Sequence, residues 1–383
     1  MPIAIYVLAV AAFAVGTAEF IISGILPTLA GDLGVSIPVA GLLVTAYASG
    51  VAVGGPALSI FTARFSQRAA LIGIMLLFTL AQGLCAVAPD YFTLLLARLV
   101  AAASHGVFFG AGNVVLVALV PREKQGSAFS LFVGGITVAN LLGLPAGTAI
   151  AQFGGWRMSF LAVGVLGIIA TLALIFKLPP ARADAPPRAA FATELRELRH
   201  HEVWLSYITI ALVMTGALAF ATYQVPILLT VTRLDPGLIP LYLLLGGVGS
   251  TFGIWLGGRG TDWKAMPFLL GVLAAQAVSY ALMLLTAPHA AAMTVNLLVT
   301  SALGFAFSTP LQARVLHAAH KAPNFASALL STAFNVGIAS GAGIGALLLS
   351  AGVGYALLPG VSALSSTLAF GVALLSWRLD RRR

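Results

Sequence analysis

Long apolar runs fill this chain from end to end, interrupted by short clusters of Gly, Pro and charged residues. A run of about 20 apolar residues is long enough to cross a bilayer core about 30 Å thick as a helix. Bounded by those interruptions, the runs predict twelve spans. They fall roughly at residues 3–27, 38–61, 69–88, 92–119, 127–151 and 159–177, then 203–230, 238–257, 266–287, 290–316, 324–350 and 354–377. The expected fold is an all-α integral membrane protein. The first run is read as a retained span: Met1-Pro2-Ile3-Ala4 carries no basic residue, and Glu19 interrupts the apolar stretch, unlike a cleaved leader.

The longest polar interruption, 178–202, divides the chain into an N-terminal half, 1–177, and a C-terminal half with a basic tail, 203–383. Pro179-Pro180 and Pro186-Pro187 exclude a continuous helix through this linker. Its later part sets Phe191, Leu195 and Leu198 on one face, the pattern of a short helix lying on the membrane surface. His200-His201-Glu202 invites a metal reading, but a polar helix end at the interface accounts for it. The halves echo each other at an offset of about 200 residues: Gly16 and Phe20 match Gly216 and Phe220, Ser127-Ala128 matches Ser327-Ala328, and Ala139 and Gly143 match Ala339 and Gly343. A shared offset predicts two parallel six-span repeats forming two pseudo-symmetric bundles, with a substrate site near mid-membrane.

Composition then sharpens the picture. Of 383 residues 60% are hydrophobic and only 8% charged, too few charges to cover a soluble surface. The net charge of +9 could suggest a nucleic-acid partner, but its distribution does not. With the predicted spans, roughly 17 of the 20 Lys and Arg fall on one side, among them Arg64, Arg68, Arg259, Lys264, Arg314, Lys321 and the tail Arg378, Arg381, Arg382 and Arg383. Only Arg157 and Arg233 fall on the other. Basic loops stay in the cytoplasm, so both termini are expected inside a cytoplasmic (inner) membrane. The single cysteine, Cys85, allows no internal disulfide and reads as core filling. Trp156, at the outer turn Gly154-Gly155-Trp156-Arg157, reads as an interfacial anchor.

Chemistry concentrates where ionisable residues sit inside apolar runs, because such groups normally face a bundle interior or a water-filled cavity. Arg98 and His105 are seven residues apart, close to two helical turns, and share one face of the fourth span. Glu19 lies some 24 Å into an outward-running first span and Arg98 about 9 Å into an inward-running fourth, which puts them at similar depth. Burial disfavours the Glu19 carboxylate and a nearby Arg98 favours it, so a conformational change that alters either moves its proton affinity. Glu19, Arg98 and His105 are therefore the candidate proton-coupling set, against the simpler reading of a fixed structural pair and a packing histidine. Phe108, Asn140, Tyr223, Gln224 and Asn335, at membrane depth, are candidates to line a substrate cavity or to tie helices together.

In the fifth span Ala139, Gly143 and Gly147 are four apart, with Gly135 preceding and Pro145 favouring a kink; Gly337, Gly341 and Gly345 repeat the spacing in the eleventh. Faces of small residues let another helix approach closely, and these two suit a moving seam between the halves.

Three stretches, GTAEFIISGILPTLAGDLGVS at 16–36, LLLARLVAAASHGVFFGAG at 94–112 and GGITVANLLGLPAGT at 134–148, resemble the major facilitator superfamily over essentially the whole chain. The nearest likeness is to its twelve-span drug:proton antiporter branch, and within it to sugar-efflux and chloramphenicol-efflux permeases. The resemblance implies an acidic coupling residue at Glu19, the span-4 arginine at Arg98, and the antiporter motif at Gly135, Gly143, Pro145 and Gly147. It also implies a cytoplasmic loop motif after span 2. Here that loop reads SIFTARFSQRA, keeping Arg64 and Arg68 but placing Ser59 and Ala63 where Gly and Asp are usual; the corresponding loop GGRGTDWK keeps Asp262.

The function expected is proton-coupled export of a small drug- or sugar-like molecule, acting as a monomer in the lipid bilayer with protons and a small-molecule substrate as partners. Passive facilitation with a structural Glu19 is the alternative. No HExxH, GxSxG or phosphate-cradling GxxxxGK[ST] is present, which argues against an enzyme or an ATPase, and no cofactor, metal or nucleic acid is called for.

Overall fold

The computed structural model describes residues 1–179, 201–319 and 323–381. The expected linker helix, Phe191 to His201, lies outside them but for His201 itself, as do Lys321, Arg382 and Arg383. Among the described residues all regular structure is helical. Eleven helices are long and apolar enough to cross a membrane: α1 (Ile3–Asp32), α2 (Ile37–Thr62), α3 (Gln67–Val87), α4 (Tyr91–Leu119), α5 (Gln125–Gly154), α6 (Trp156–Lys177), α7 (His201–Thr230), α8 (Pro236–Thr286), α9 (Ala290–Ala318), α10 (Pro323–Ser350) and α11 (Tyr355–Asp380). Large apolar side chains stand exposed along them, Leu80, Phe92, Phe153, Ile169, Phe176 and Leu347 among them, as lipid-facing walls require.

Helix α8 runs for 51 residues, which as a straight rod would be about 77 Å, more than twice the bilayer core. It is not straight. Lys264 has φ −156° and ψ 91°, and Pro267 supplies no backbone N–H. The Phe268 ring packs on Gly260, although eight residues of continuous helix would separate the two by about 12 Å, so the chain folds back at Lys264.

Helix starts follow local chemistry. Ser36 accepts from the Val39 N–H, Ser66 from Ala69 and Asp90 from Thr93, at 3.4, 3.3 and 2.8 Å. The Thr93 N–H holds the Asp90 carboxyl below the usual carboxylate range. The tight turn between α5 and α6 needs Gly155 at φ 80°, and that between α10 and α11 needs Gly352 at φ 87°. Two helices widen into a π turn just ahead of a proline: Gly50–Gly54 before Pro56 in α2, and Ala139–Gly143 before Pro145 in α5. A proline cannot complete the α-helical bond pattern to the preceding turn, and the extra residue of a π turn absorbs the mismatch.

The chain divides into two compact units. One holds α1 to α6 with Gly237–Leu244; the other holds α7, the rest of α8, and α9 to α11. In the first, α1 packs on α5 and α6, α3 on α4 and α6, and α2 on α4. In the second, α7 packs on α10 and α11. The small-residue faces explain the closest approaches. A Cβ at Gly50 would meet Ala102, and Gly55 and Gly106 meet backbone to backbone, which seats α2 on α4. Gly249, Gly253 and Gly257 of α8 face the carbonyls of Leu298, Ala302 and Ala306, which seats α8 on α9 in the same manner.

Within each unit, the glycine faces of α5 and α10 meet a helix of that same unit. Gly135 abuts Ala9, Ala12 and Phe13 of α1, Gly143 abuts Thr17, and Gly147 abuts Ile21. Gly337, Gly341 and Gly345 abut Ala211, Thr215 and Tyr223 of α7. Four-residue spacing marks a face of close approach but carries no information about which helix occupies it. Trp156 departs from expectation. It is 2% exposed, packs edge-on to Phe160 and donates to Asp32 at 2.9 Å, so the indole is a buried strut and not an interfacial anchor.

Candidate functional site

The first unit contains a buried polar cluster built from three of its helices. Helix α4 presents Arg98, Ala101, Ala102 and His105 on its buried face, and the alanines leave room for α2 to come close. Arg98 is fully buried. Its Nη1 donates to the Ala18 carbonyl of α1 at 2.5 Å, and its guanidinium lies over the Tyr47 ring of α2, 4.0 Å from the centroid. Nε and Nη2 have no acceptor among the described residues. His105 is 7% exposed; its Nδ1 is 3.2 Å from the Tyr47 hydroxyl, and its ring packs against Phe109.

Glu19 follows Ala18 directly, is partly exposed, and lies within the field of Arg98. Its carboxylate makes no ion pair among the described residues; the pairs found there are Arg157–Asp32 and Arg314–Asp380. Cys85 of α3, fully buried, also feels the Arg98 charge. A guanidinium this deep is held by a neutral carbonyl and an aromatic face, both weaker partners than a carboxylate. The arrangement sets a buried guanidinium near the Glu19 carboxylate with no ion pair between them among the described residues.

The other predicted residues have varied surroundings. Phe108 is buried against Phe109 and Phe132. Asn140 is half-buried in the π turn that precedes Pro145. In the second unit, Tyr223 is fully buried at the break within α7; its hydroxyl donates to the Ala342 carbonyl at 2.9 Å and its ring covers Gly345. Tyr207 makes the same bond to Ala326, so two tyrosines tie α7 to α10. Gln224 is half-buried beside this break, and Asn335 is buried with its amide on the Ser331 carbonyl of its own helix. At the loop after α2, Arg64 is exposed and stacks on Phe61, while Arg68 donates to the Ile175 carbonyl at 2.6 Å and so caps the end of α6. Asp262 is exposed.

Sequence reasoning missed Tyr47, whose only signal is a hydroxyl in mid-span three residues before Gly50. It also missed the outer clasp in which Arg157, stacked on Trp156, reaches Asp32 and the Ala88 carbonyl, and the buried network of Ser279, Asn296 and Thr300. His201 and Glu202 open α7 with ligand atoms within 4.8 Å of those of Asp380, but Arg314 already neutralises Asp380 at 2.6 Å.

Helices of this length, apolarity and packing, with ionisable groups buried inside, define a multi-pass membrane protein of the transporter class. Residues 8–342 match the model of the Major Facilitator Superfamily, and the chain belongs to that family of transporters. It is 39% identical over 371 residues to the inner membrane transport protein YdhP of Escherichia coli (strain K12), covering 97% of this chain and 95% of that one. It is 33% identical over 346 residues to a chloramphenicol resistance protein of Streptomyces lividans, covering 89% and 88%. Its fold matches that of a bacterial homologue of the human lysosomal transporter Spinster, in an inward-facing, unoccupied conformation, with a TM-score of 0.76 at 16% identity over 97% of each chain.

Proposed function

We propose that this transporter exports a small organic molecule, drug- or sugar-like, across the cytoplasmic membrane in exchange for protons, by alternating access. The observation that carries the reading is the Glu19 carboxylate, unpaired yet within the field of the buried Arg98. A transport cycle needs a group whose proton affinity follows conformation, and a carboxylate whose cation is anchored to Ala18 meets that need: a small shift of α1 against α4 changes the field it feels. On this reading α8 counts as two spans broken at Lys264, which supports a total of twelve; the two six-helix halves and the cytoplasmic placing of both ends are read from the repeat and from the basic residues of the sequence. Export is favoured by the resemblance of the α5 motif to that of antiporters and by the chloramphenicol resistance protein among the relatives.

Everted membrane vesicles test this directly. Chloramphenicol or arabinose, added to vesicles holding a proton gradient, should release protons with the wild-type chain and not with Glu19→Gln, which keeps shape and polarity but cannot titrate. Substrate flux without proton movement in the wild type would make the protein a passive facilitator.

A further inference from the structure

Tyr47 belongs to none of the sequence motifs, yet it touches both of the buried ionisable residues of α4. Its ring, 2% exposed, presents its face to Arg98 and its hydroxyl to His105 Nδ1. The backbone around it has little freedom, because Gly50 and Gly55 lock α2 onto Ala102 and Gly106 of the same α4. Two side chains two turns apart are thus spanned by one rigid ring delivered from a neighbouring helix.

We propose that Tyr47 is a positioning residue with two separable actions: its π face holds the Arg98 guanidinium in place, and its hydroxyl donates to Nδ1 and fixes neutral His105 as the Nε2–H tautomer. The donor direction is the one a phenol under a guanidinium favours, because the Arg98 charge over the ring strengthens the hydroxyl as a donor and weakens it as an acceptor. Tyr47 of α2 faces Nδ1, Arg98 lies on the same face of α4, Glu19 of α1 and Cys85 of α3 lie within the field of that arginine, and α5 presents the apolar Phe132 beside Phe109. A phenol that donates requires a lone pair on Nδ1, so the remaining hydrogen sits on Nε2. Protonating His105 would require the Tyr47 hydroxyl to turn and accept instead. Under the antiport reading, on which only this last consequence rests, Tyr47 makes His105 a fixed hydrogen-bond donor and leaves the exchangeable proton to Glu19.

The test needs no substrate. In the full chain, purified in detergent and labelled with [15N]histidine, two-bond nitrogen–proton correlations report the tautomer of each imidazole, and His105→Asn identifies the His105 signals. The expected result for the wild type is a single Nε2–H tautomer near neutral pH; an Nδ1–H tautomer or an imidazolium there overturns the proposal. Tyr47→Phe keeps the ring over Arg98 and removes only the hydroxyl, and should shift the tautomer ratio about fivefold toward Nδ1–H, the value of one net hydrogen bond. An unchanged ratio in Tyr47→Phe overturns the role given to the hydroxyl, and the wild-type spectrum decides even if the variant does not fold. In vesicles, Tyr47→Phe should alter the pH profile of proton release in the wild-type background and not further in His105→Asn. An equal effect in both backgrounds would show that Tyr47 does not act through His105. Because the tautomer is read without transport, its failure leaves the antiport reading untouched, and absence of antiport leaves the tautomer result standing.

Discussion

Arg98 donates to the main-chain carbonyl of Ala18, one residue short of Glu19, and so brings a buried positive charge to the carboxylate without pairing with it. A direct ion pair would favour the charged carboxylate in every state and resist protonation. Under the antiport reading, a cation tethered beside it biases the carboxylate and still lets it titrate.

Removing that cation should therefore be visible as a pH effect. Arg98→Ala takes away the charge that favours ionised Glu19, so the proton is held to higher pH and the pH profile of transport moves upward. The rate should fall roughly tenfold or more, the scale of a lost charge-assisted hydrogen bond. Arg98→Lys should rescue little, since an ammonium lacks the planar fork that reaches Ala18 while lying flat on Tyr47. Transport against pH in vesicles checks both; an unshifted profile in Arg98→Ala would separate Arg98 from proton binding.

The two glycines of the α5 face should differ in their tolerance of alanine. At Gly135 the added methyl runs into the Ala9 carbonyl and the Phe13 nitrogen, backbone atoms that cannot rotate away. At Gly143 it meets the Thr17 side chain, which can turn aside only by giving up its hydrogen bond to the Phe13 carbonyl. Gly135→Ala should cost about 1–3 kcal/mol, the range for overpacking, and Gly143→Ala less. Thermal melts of the purified variants provide the measurement, and equal melting temperatures would count against α1–α5 contact as the reason for these glycines.

Asp90 supplies a pH-dependent cap. Its carboxyl is held below the ordinary range by the Thr93 N–H, so its support of the α4 start is present above the unfolded-state value and is lost as pH falls through the folded one. Asp90→Asn caps without titrating. Amide exchange at Thr93, taken as the ratio of wild type to Asp90→Asn, should rise as the solution is acidified; a flat ratio would mean the carboxylate form contributes nothing to the cap.

Orientation can be read by cysteine labelling after Cys85→Ala. Exposed positions Asp90 and Asp235 should react with an impermeant reagent from outside, and Arg64 and Lys264 only from the cytoplasmic side. Cys85 itself is fully buried, so the unmodified chain should label poorly from either side. The reverse pattern would invert the topology inferred from the basic residues.

The membrane class, the family and nearly all the helices were legible from the chain alone, because lipid leaves a backbone few choices: an apolar run of sufficient length must close its own hydrogen bonds as a helix. The turn at Gly155 and the break after Asp262 were legible for the same local reason. Depth could be estimated from the rise per residue, and it set Glu19 and Arg98 at one level. What spacing could not supply was the neighbour. Gly143 and Gly341 announce a close approach, but only the folded units assign them to Thr17 and Thr215 of their own halves. Trp156 lies in the sequence like a membrane anchor, and only tertiary contact turns it inward to Asp32. Tyr47 meets Arg98 and His105 across 51 and 58 residues of chain, through a seat for α2 made by Gly50 and Gly55. Periodicity describes one helix at a time, whereas partners, and so the chemistry of a buried charge, depend on which helices share a face.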